Sequence, residues 1–320
     1  MMRTIYPIQA SVENLRETVV AIGVFDGVHR GHQEILRQTV REARSQGLRP
    51  VVLTFDIHPS ELFAPDKSPS YIASLAQRME LIEAFGGGIE AVGIARFDAA
   101  FATLSPAEFV ADILEARLGA RHVLVGADFC YGKGREGTVT TLLGAGATDG
   151  FAVTVVPPVL VSGERVSSTQ VRWLIGGGNI PAAVTLLGHP FVVQGSVGQG
   201  KKLGRTLGYP TANLMPSQPH QLLPGNGVYA AYAIPADGRR RFRAAVSVGT
   251  NPTTDTDGGR KVEAYLMDGF AEDLYGQPFA LDFRLKIRDE EKFNSLDALV
   301  MQMAKDVARI SACLSDSAGV

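Results

Sequence analysis

Hydrophobic positions in the first part of the chain fall into two alternating patterns. Short β-branched runs at residues 18–24, 50–55, 89–94 and 122–125 read as strands, and the stretches between them carry apolar residues at helical spacing. In residues 31–45, Ile35, Leu36 and Val40 share one helical face, and Gly47 follows as a residue able to take the left-handed turn that closes helices. Ser74 with Gln77, and Ser105 with Pro106 and Glu108, carry the reciprocal capping pattern that opens a helix. Strands alternating with helices predict a Rossmann-like α/β domain around a parallel sheet.

After about Leu187 the pattern changes. Runs at residues 192–197, 228–234, 242–248 and 279–287 are short and strand-like, separated by Gly, Pro and Asn, which predicts a small antiparallel β-barrel. From about Ser295 the spacing turns helical again, with Leu296, Leu299, Met303 and Val307 as the apolar stripe of a closing helix. A boundary near residue 186 therefore divides the 320 residues into domains at 1–186 and 187–320, each long enough for its own core.

Composition then excludes several classes. Apolar residues make up 45% and charged residues 20%, close to the globular average, which argues against a disordered or membrane chain. The first residues hold no uninterrupted apolar segment, and no run approaches the roughly 18 apolar residues that a membrane span needs, so a cytoplasmic protein is expected. A net charge of −2 offers no overall footprint for nucleic acid, and Arg239 to Arg241 reads as a solvated hairpin surface. Cys130 and Cys313 are far apart and have no metal-ligand spacing. No feature specifies an oligomeric state.

Candidate chemistry collects where strands give way to helices. Residues 23–32, GVFDGVHRGH, include Gly23, Phe25, Asp26, His29, Gly31 and His32 and sit between the first strand and the first long helix, where open α/β sheets bind ligands. A helix N-terminus offers unpaired N–H groups to phosphate, two imidazoles three residues apart add donors, and Gly31 lets a nucleotide approach. Displacement at an α-phosphate needs such positioned donors and a metal, without a covalent intermediate. Two histidines decorating a turn, or binding zinc with a distant carboxylate, are the bland alternatives. Residues 167–172, SSTQVR, bring Ser168, Thr169 and Arg172 to another helix start, where they can cap the helix or bind phosphate. Between these segments, residues 126–135 form a glycine-rich loop containing Asp128.

The second half opens with a glycine-rich stretch, residues 195–214, GSVGQGKKLGRTLGYPTANL. Its spacing is not that of the common kinase phosphate loop, yet a flexible loop with Lys201 and Arg205 can wrap triphosphate. Thr211 and Asn213 are hard oxygen donors two residues apart, on one face if the segment is a strand, and such donors suit magnesium. A β-turn region with polar surface residues is the competing reading of the same stretch.

Taken together, these segments resemble the bacterial bifunctional riboflavin kinase/FAD synthetase family, whose first domain is an HxGH nucleotidyltransferase and whose second is a kinase barrel. The resemblance extends to residues 54–59, TFDIHP, where Ile57 replaces the usual proline, and to GVYA at 227–230, VGTNPT at 248–253, VEAYL at 262–266 and DLYG at 273–276. It implies two ATP-dependent steps, riboflavin to FMN and FMN to FAD with release of pyrophosphate, and Mg2+ as cofactor. It implies that Gly23, Phe25, Asp26, His29, Gly31, His32, Asp128, Ser168, Thr169 and Arg172 bind ATP for adenylyl transfer. Phe55, His58, Pro59 and Arg288 would bind flavin. In the kinase, Gly198, Gly200, Lys201, Gly204, Arg205, Thr211 and Asn213 would hold ATP, the last two also metal, with Glu263 as the base for the riboflavin 5′-hydroxyl. A flavin sensor without turnover would have no use for Glu263 with Thr211 and Asn213, and a relic first domain would have no use for the full HxGH set.

Overall fold

In the computed structural model, the β-branched runs of the first half lie side by side in a parallel sheet. The structure describes residues 2–11, 14–198, 209–235, 238, 240–250, 260–268 and 274–314. In chain order the first strands are β1 (Arg3–Ile5), β2 (Thr18–Ile22), β3 (Arg49–Phe55), β4 (Ala91–Ala95), β5 (Ala120–Gly126), β6 (Cys130–Tyr131), β7 (Gly137–Thr138) and β8 (Ala152–Val156). The sheet runs β1-β4-β3-β2-β5-β8, all parallel. Every residue of β2 is buried, as it must be for a strand covered on both faces. Its side chains alternate: Val19 and Ala21 join Leu36 and Val40 of helix α1 (Arg30–Gln46), and Val20 and Ile22 join Ile113 and Leu114 on the other face.

Helix α1 ends on Gly47 at φ +68°, as the sequence indicates. The capping box at Ser105 is formed in both directions. One α-helical turn after it, the chain widens into π-type turns over Phe109–Arg117, a difference from the regular helix expected. The buried residues come in adjacent pairs four apart, Phe109 with Val110 and Ile113 with Leu114, on the face turned to the sheet.

The second half forms a closed antiparallel barrel. After the small hairpin β9 (Leu160–Val161) and β10 (Glu164–Arg165), its strands are β11 (Phe191–Gly198), β12 (Thr211–Pro216), β13 (Gly227–Pro235), β14 (Phe242–Gly249), β15 (Lys261–Leu266) and β16 (Pro278–Arg288). Their order is β11-β12-β15-β14-β13-β16, with β16 pairing back onto β11. Phe191, Tyr229 and Phe283 meet edge and face in its core.

Packing divides the chain into Met1–Pro69 with Leu75–Ser167, and Ser70–Ser74 with Ser168–Val320. The helices Ser168–Gly176 and Ile180–Leu187 thus pack with the barrel, ahead of the change in hydrophobic pattern near Leu187. Ile180–Leu187 lies against β11 and β16, and Gly225 comes so close to the Gly176 carbonyl that a Cβ there would sit 2.3 Å from it. Helical spacing alone does not say which core a helix serves.

The closing helix runs over Leu296–Leu314 and corrects the expected stripe. Its fully buried positions are Asp306, Ile310 and Leu314, while Leu296 is exposed. Leu299, Met303 and Val307 are half-buried and line a cavity. The C-terminal half of the helix packs on the barrel and the N-terminal half overhangs an opening.

Candidate active sites

Within the first unit, β3, β4 and β1 lie on one side of β2, and β5 and β8 on the other. The loops leaving β2 and β5 therefore diverge, and the crevice between them is where this topology binds ligands. Residues 23–32 leave β2. Phe25 and Val28 stand in left-handed conformations at φ +53° and +36°, with Gly27 at +74° between them. For a β-branched residue that is unusual, and costs on the order of 1–3 kcal/mol per residue, offset here because both side chains are wholly buried.

The turn delivers His29 as the N-cap of α1, its Nδ1 accepting from the His32 amide at 3.3 Å. In a neutral ring this places the His29 proton on Nε2. The two imidazoles are stacked, with centroids 3.7 Å apart and planes 12° from parallel. A Cβ on Gly31 would lie 3.1 Å from the His29 ring, a tight contact that would press on the folded-over imidazole. Asp26 is buried in the same turn.

A cavity of about 980 Å³ lies beside this turn. Gly23, Phe55, His58, Pro59 and Asp128 line it, together with Phe97, Phe101, Phe109, Phe129 and Tyr131. Phe55 meets Phe97 and Phe101 edge-on, and Phe129 stacks on Tyr131 at 5.6 Å. An aromatic chamber of this size suits a planar heteroaromatic ligand. His58 caps the helix Pro59–Phe63, its Nδ1 accepting from the Ser60 amide, so Ile57 in place of proline leaves the histidine in position. The Ile57 amide itself donates to Asp56. Asp128 is mostly exposed and pairs with Arg165 at 2.9 Å. Ser168, Thr169 and Arg172 lie on the helix that packs with the barrel unit, where Arg172 donates from Nε to the Ser70 carbonyl.

The barrel carries a second cavity, about 300 Å³, lined by Tyr209, Thr211, Ser247, Glu263, Arg288 and the closing helix. Register creates it: Glu263 stands directly opposite Asn213 on β12 and Ser247 on β14. Thr211 and Asn213, two apart, share a face, and Tyr209 meets Tyr265 edge-on at 5.1 Å. Arg288 is held rather than free: its Nε donates to both oxygens of the buried Asp306 at 3.1 and 2.9 Å, and Gln302 donates to the same carboxylate. Close by, Arg260 donates to Asn226, which donates to Glu290 at the cavity edge, and burial lowers the Arg260 pKa. Burial also pushes the Tyr229 phenol, which donates to the Gly225 carbonyl, up to about 12. Gly198 ends β11, while Gly200, Lys201, Gly204 and Arg205 lie outside the described residues, as does Arg239.

Sequence reading missed the aromatic chamber, Asp306 and the fully buried Arg78. Arg78 had a signal, since it falls one turn before Ile82 on the apolar side of its helix. The aromatic residues come from separate segments, and no local spacing connects them. Among the described residues, no group of three His, Cys, Asp or Glu is placed to hold a metal.

A model of the FAD synthetase family matches residues 11–170, and one of the riboflavin kinase family matches residues 187–314. The chain is 39% identical over 288 residues to a bifunctional riboflavin kinase/FMN adenylyltransferase of Escherichia coli strain K12, covering 90% of each. The Pseudomonas fluorescens protein of the same description is 39% identical over 303 residues, 95% of each chain. That of Bacillus subtilis strain 168 is 34% identical over 312 residues, 95% of this chain and 96% of its own. A crystal structure titled macrolide-efflux protein from Streptococcus pneumoniae matches with a TM-score of 0.83 at 34% identity, over 95% of this chain and 97% of that one. No helix among the described residues of this chain is long and apolar enough to cross a membrane.

Proposed function

Since the chain belongs to the bifunctional riboflavin kinase/FMN adenylyltransferase family, whose members it matches over 90% or more of its length, we propose that the two cavities are its two active sites. The chain phosphorylates riboflavin to FMN and adenylylates FMN to FAD, each step with ATP. We assign adenylyl transfer to residues 1–186 and phosphoryl transfer to residues 187–320.

For adenylyl transfer, the FMN phosphate attacks the α-phosphorus of ATP and pyrophosphate departs. The His29 Nε2–H, the His32 ring and the amides opening α1 donate to oxygens that gain charge as the bond breaks. Gly23, Phe25, Asp26 and Gly31 shape the turn that holds them. Phe55, His58 and Pro59, with the aromatic chamber, take the flavin ring, and Asp128 stands at the rim. Ser168, Thr169 and Arg172 bind nucleotide phosphates, a role that rests on their motif.

For phosphoryl transfer, Glu263 accepts the 5′-hydroxyl proton as that oxygen attacks the γ-phosphorus and ADP leaves. Gly198, Gly200, Lys201, Gly204 and Arg205 hold the triphosphate, a role that rests on their motif. A hydroxyl and a carboxamide on one strand face opposite a carboxylate form a hard-oxygen set that fits magnesium, so Thr211 and Asn213 would hold it with the phosphates, where it offsets their charge. The cavity side of Arg288 faces the flavin, held there by Asp306. A cytoplasmic enzyme without nucleic-acid or membrane partners is the setting we assign.

The observation that carries this reading is the pairing of a stacked HxGH turn with an aromatic chamber in one unit and a Thr-Asn-Glu face in the other. Purified protein given riboflavin, ATP and magnesium should form FMN and then FAD, resolved by chromatography. His29→Ala should stop FAD formation and leave FMN formation intact, and Glu263→Ala should stop FMN formation while supplied FMN is still adenylylated. Loss of both conversions in a folded His29→Ala protein would sink the division of labour.

A further inference from the structure

We infer that Arg78 is a positioning residue of the adenylyltransferase site, its buried guanidinium fixing the two strand exits from which the nucleotide turn and the flavin chamber are built. This rests on the reading of that site given above. Arg78 lies in the helix Leu75–Gly86 with no exposed surface. Its Nη1 donates to the Val24 carbonyl at 2.8 Å and the Phe55 carbonyl at 3.0 Å, and its Nη2 to the Asp56 carbonyl at 3.1 Å.

Those carbonyls stand where the sheet stops providing order. The β2–β3 ladder ends at Ile22 opposite Leu53, with one further bond from the Gly23 amide to the Leu53 carbonyl. Beyond it, the chain after Val24 turns into residues 25–32, and the chain after Phe55 turns into residues 56–59. Both Val24 and Phe55 line the chamber. The guanidinium bridges them across the gap where ladder bonds are lost, and the Thr54 hydroxyl adds a bond to the same Val24 carbonyl.

The third carbonyl extends the brace to β4. The Asp56 amide donates to the Ala95 carbonyl, and the Asp56 carboxylate accepts from the Ile57 and Phe97 amides and the Tyr6 hydroxyl. Arg78 thereby joins the ends of β2, β3 and β4 through two nitrogens of one planar group. Arginine alone offers such a rigid fork, whereas an ammonium is a single point that cannot span three separated carbonyls in this geometry. Burying a cation is costly unless its hydrogens are taken up, so an apolar residue would suit a purely structural place on this helix better. A cation anchored on three backbone carbonyls at the mouth of a site indicates that exact loop placement is what it maintains.

The test uses the full chain, with Arg78→Lys and Arg78→Met compared with the parent protein. FMN adenylylation is followed as kcat and KM for FMN and ATP, riboflavin phosphorylation is measured on the same preparations, and FMN binding is read from quenching of its fluorescence. Arg78→Lys should lower kcat/KM for adenylylation about tenfold or more, raise KM for FMN, and weaken FMN quenching. Its riboflavin phosphorylation should stay within about twofold of the parent, and Arg78→Met should show the same split with a larger loss. A folded Arg78→Lys protein that binds and adenylylates FMN like the parent would overturn the inference, as would a parallel fall in both activities. If Arg78→Met does not fold, the lysine variant decides alone. Failure of the parent protein to make FAD from FMN would instead overturn the functional reading on which the inference stands.

Discussion

Replacing Asp306 by asparagine isolates what the closing helix does for the barrel cavity. In the Arg288–Asp306 pair the side chains are 15% and 6% exposed, and the Arg288 Nε donates to both carboxylate oxygens. Asparagine preserves the volume and one acceptor oxygen but leaves the guanidinium without its counter-charge. Removing one partner of a buried pair costs about 3–5 kcal/mol. Arg288 keeps its bond to the Asp289 carbonyl and its place over the Phe293 ring, so the cost falls just below that range, about 2–3 kcal/mol. At roughly 2–4 °C per kcal/mol for a domain of this size, the barrel transition in a calorimetric scan should fall by roughly 4–12 °C.

Because Leu299 and Met303 reach the cavity from the same helix, KM for riboflavin should rise severalfold, and adenylylation of supplied FMN should be unchanged. Combining Arg288→Met with Asp306→Leu should recover the melting temperature without recovering KM, since paired apolar groups replace the buried charges but not the cavity wall. An Asp306→Asn protein that melts within about a degree of the parent, with unaltered KM for riboflavin, would refute the argument.

Three further outcomes are expected. His122 is buried between Gln46 and Thr154, and burial, partly countered by Glu42, holds its pKa below the ordinary 6.5. The unfolded chain then binds the proton more readily, so stability should be constant above about pH 6.5 and decline as pH falls below it, by at most about 1.4 kcal/mol per pH unit. Denaturant titrations across pH 5 to 8 should show this slope, and His122→Asn should flatten it. Gly225→Ala would place its Cβ 2.3 Å from the Gly176 carbonyl and should lower the barrel's melting point by several degrees, a loss that riboflavin phosphorylation followed against temperature would register. Removing magnesium with a chelator should halt both conversions, and adding it back should restore them; turnover that persists in chelator would exclude the assigned metal.

The sequence displayed some of these features and hid others for physical reasons. Both halves of the fold were visible because strand and helix periods are local: β2, β3, β5 and the barrel strands β11, β13, β14 and β16 lie within a few residues of where their runs predict them. Gly31 and His29 were visible because a strand, a turn and a capped helix follow within a dozen residues. The strained turn at Phe25 and Val28 was not, since nothing in an apolar residue announces a left-handed backbone. That the helix Ile180–Leu187 belongs with the barrel unit was not legible, because an apolar stripe does not name its partner.

The same distinction separates the two sites. On β12 the exposed-side residues Thr211 and Asn213 alternate with the buried Ala212 and Leu214, so the chemistry is written at the strand's own period of two. A slip of one residue would turn both side chains inward, which ties the proposed site to the register that also sets Asn213 against Glu263. One motif therefore specifies strand, face and chemistry together. The aromatic chamber has no such economy: Phe55, Phe97, Phe101, Phe109 and Tyr131 converge only after β3, β4 and β5 have assembled, and Arg78 reaches Val24 across 54 positions. Substitutions in that chamber should accordingly act through the assembled sheet, whereas those at Thr211 and Asn213 act at a single strand.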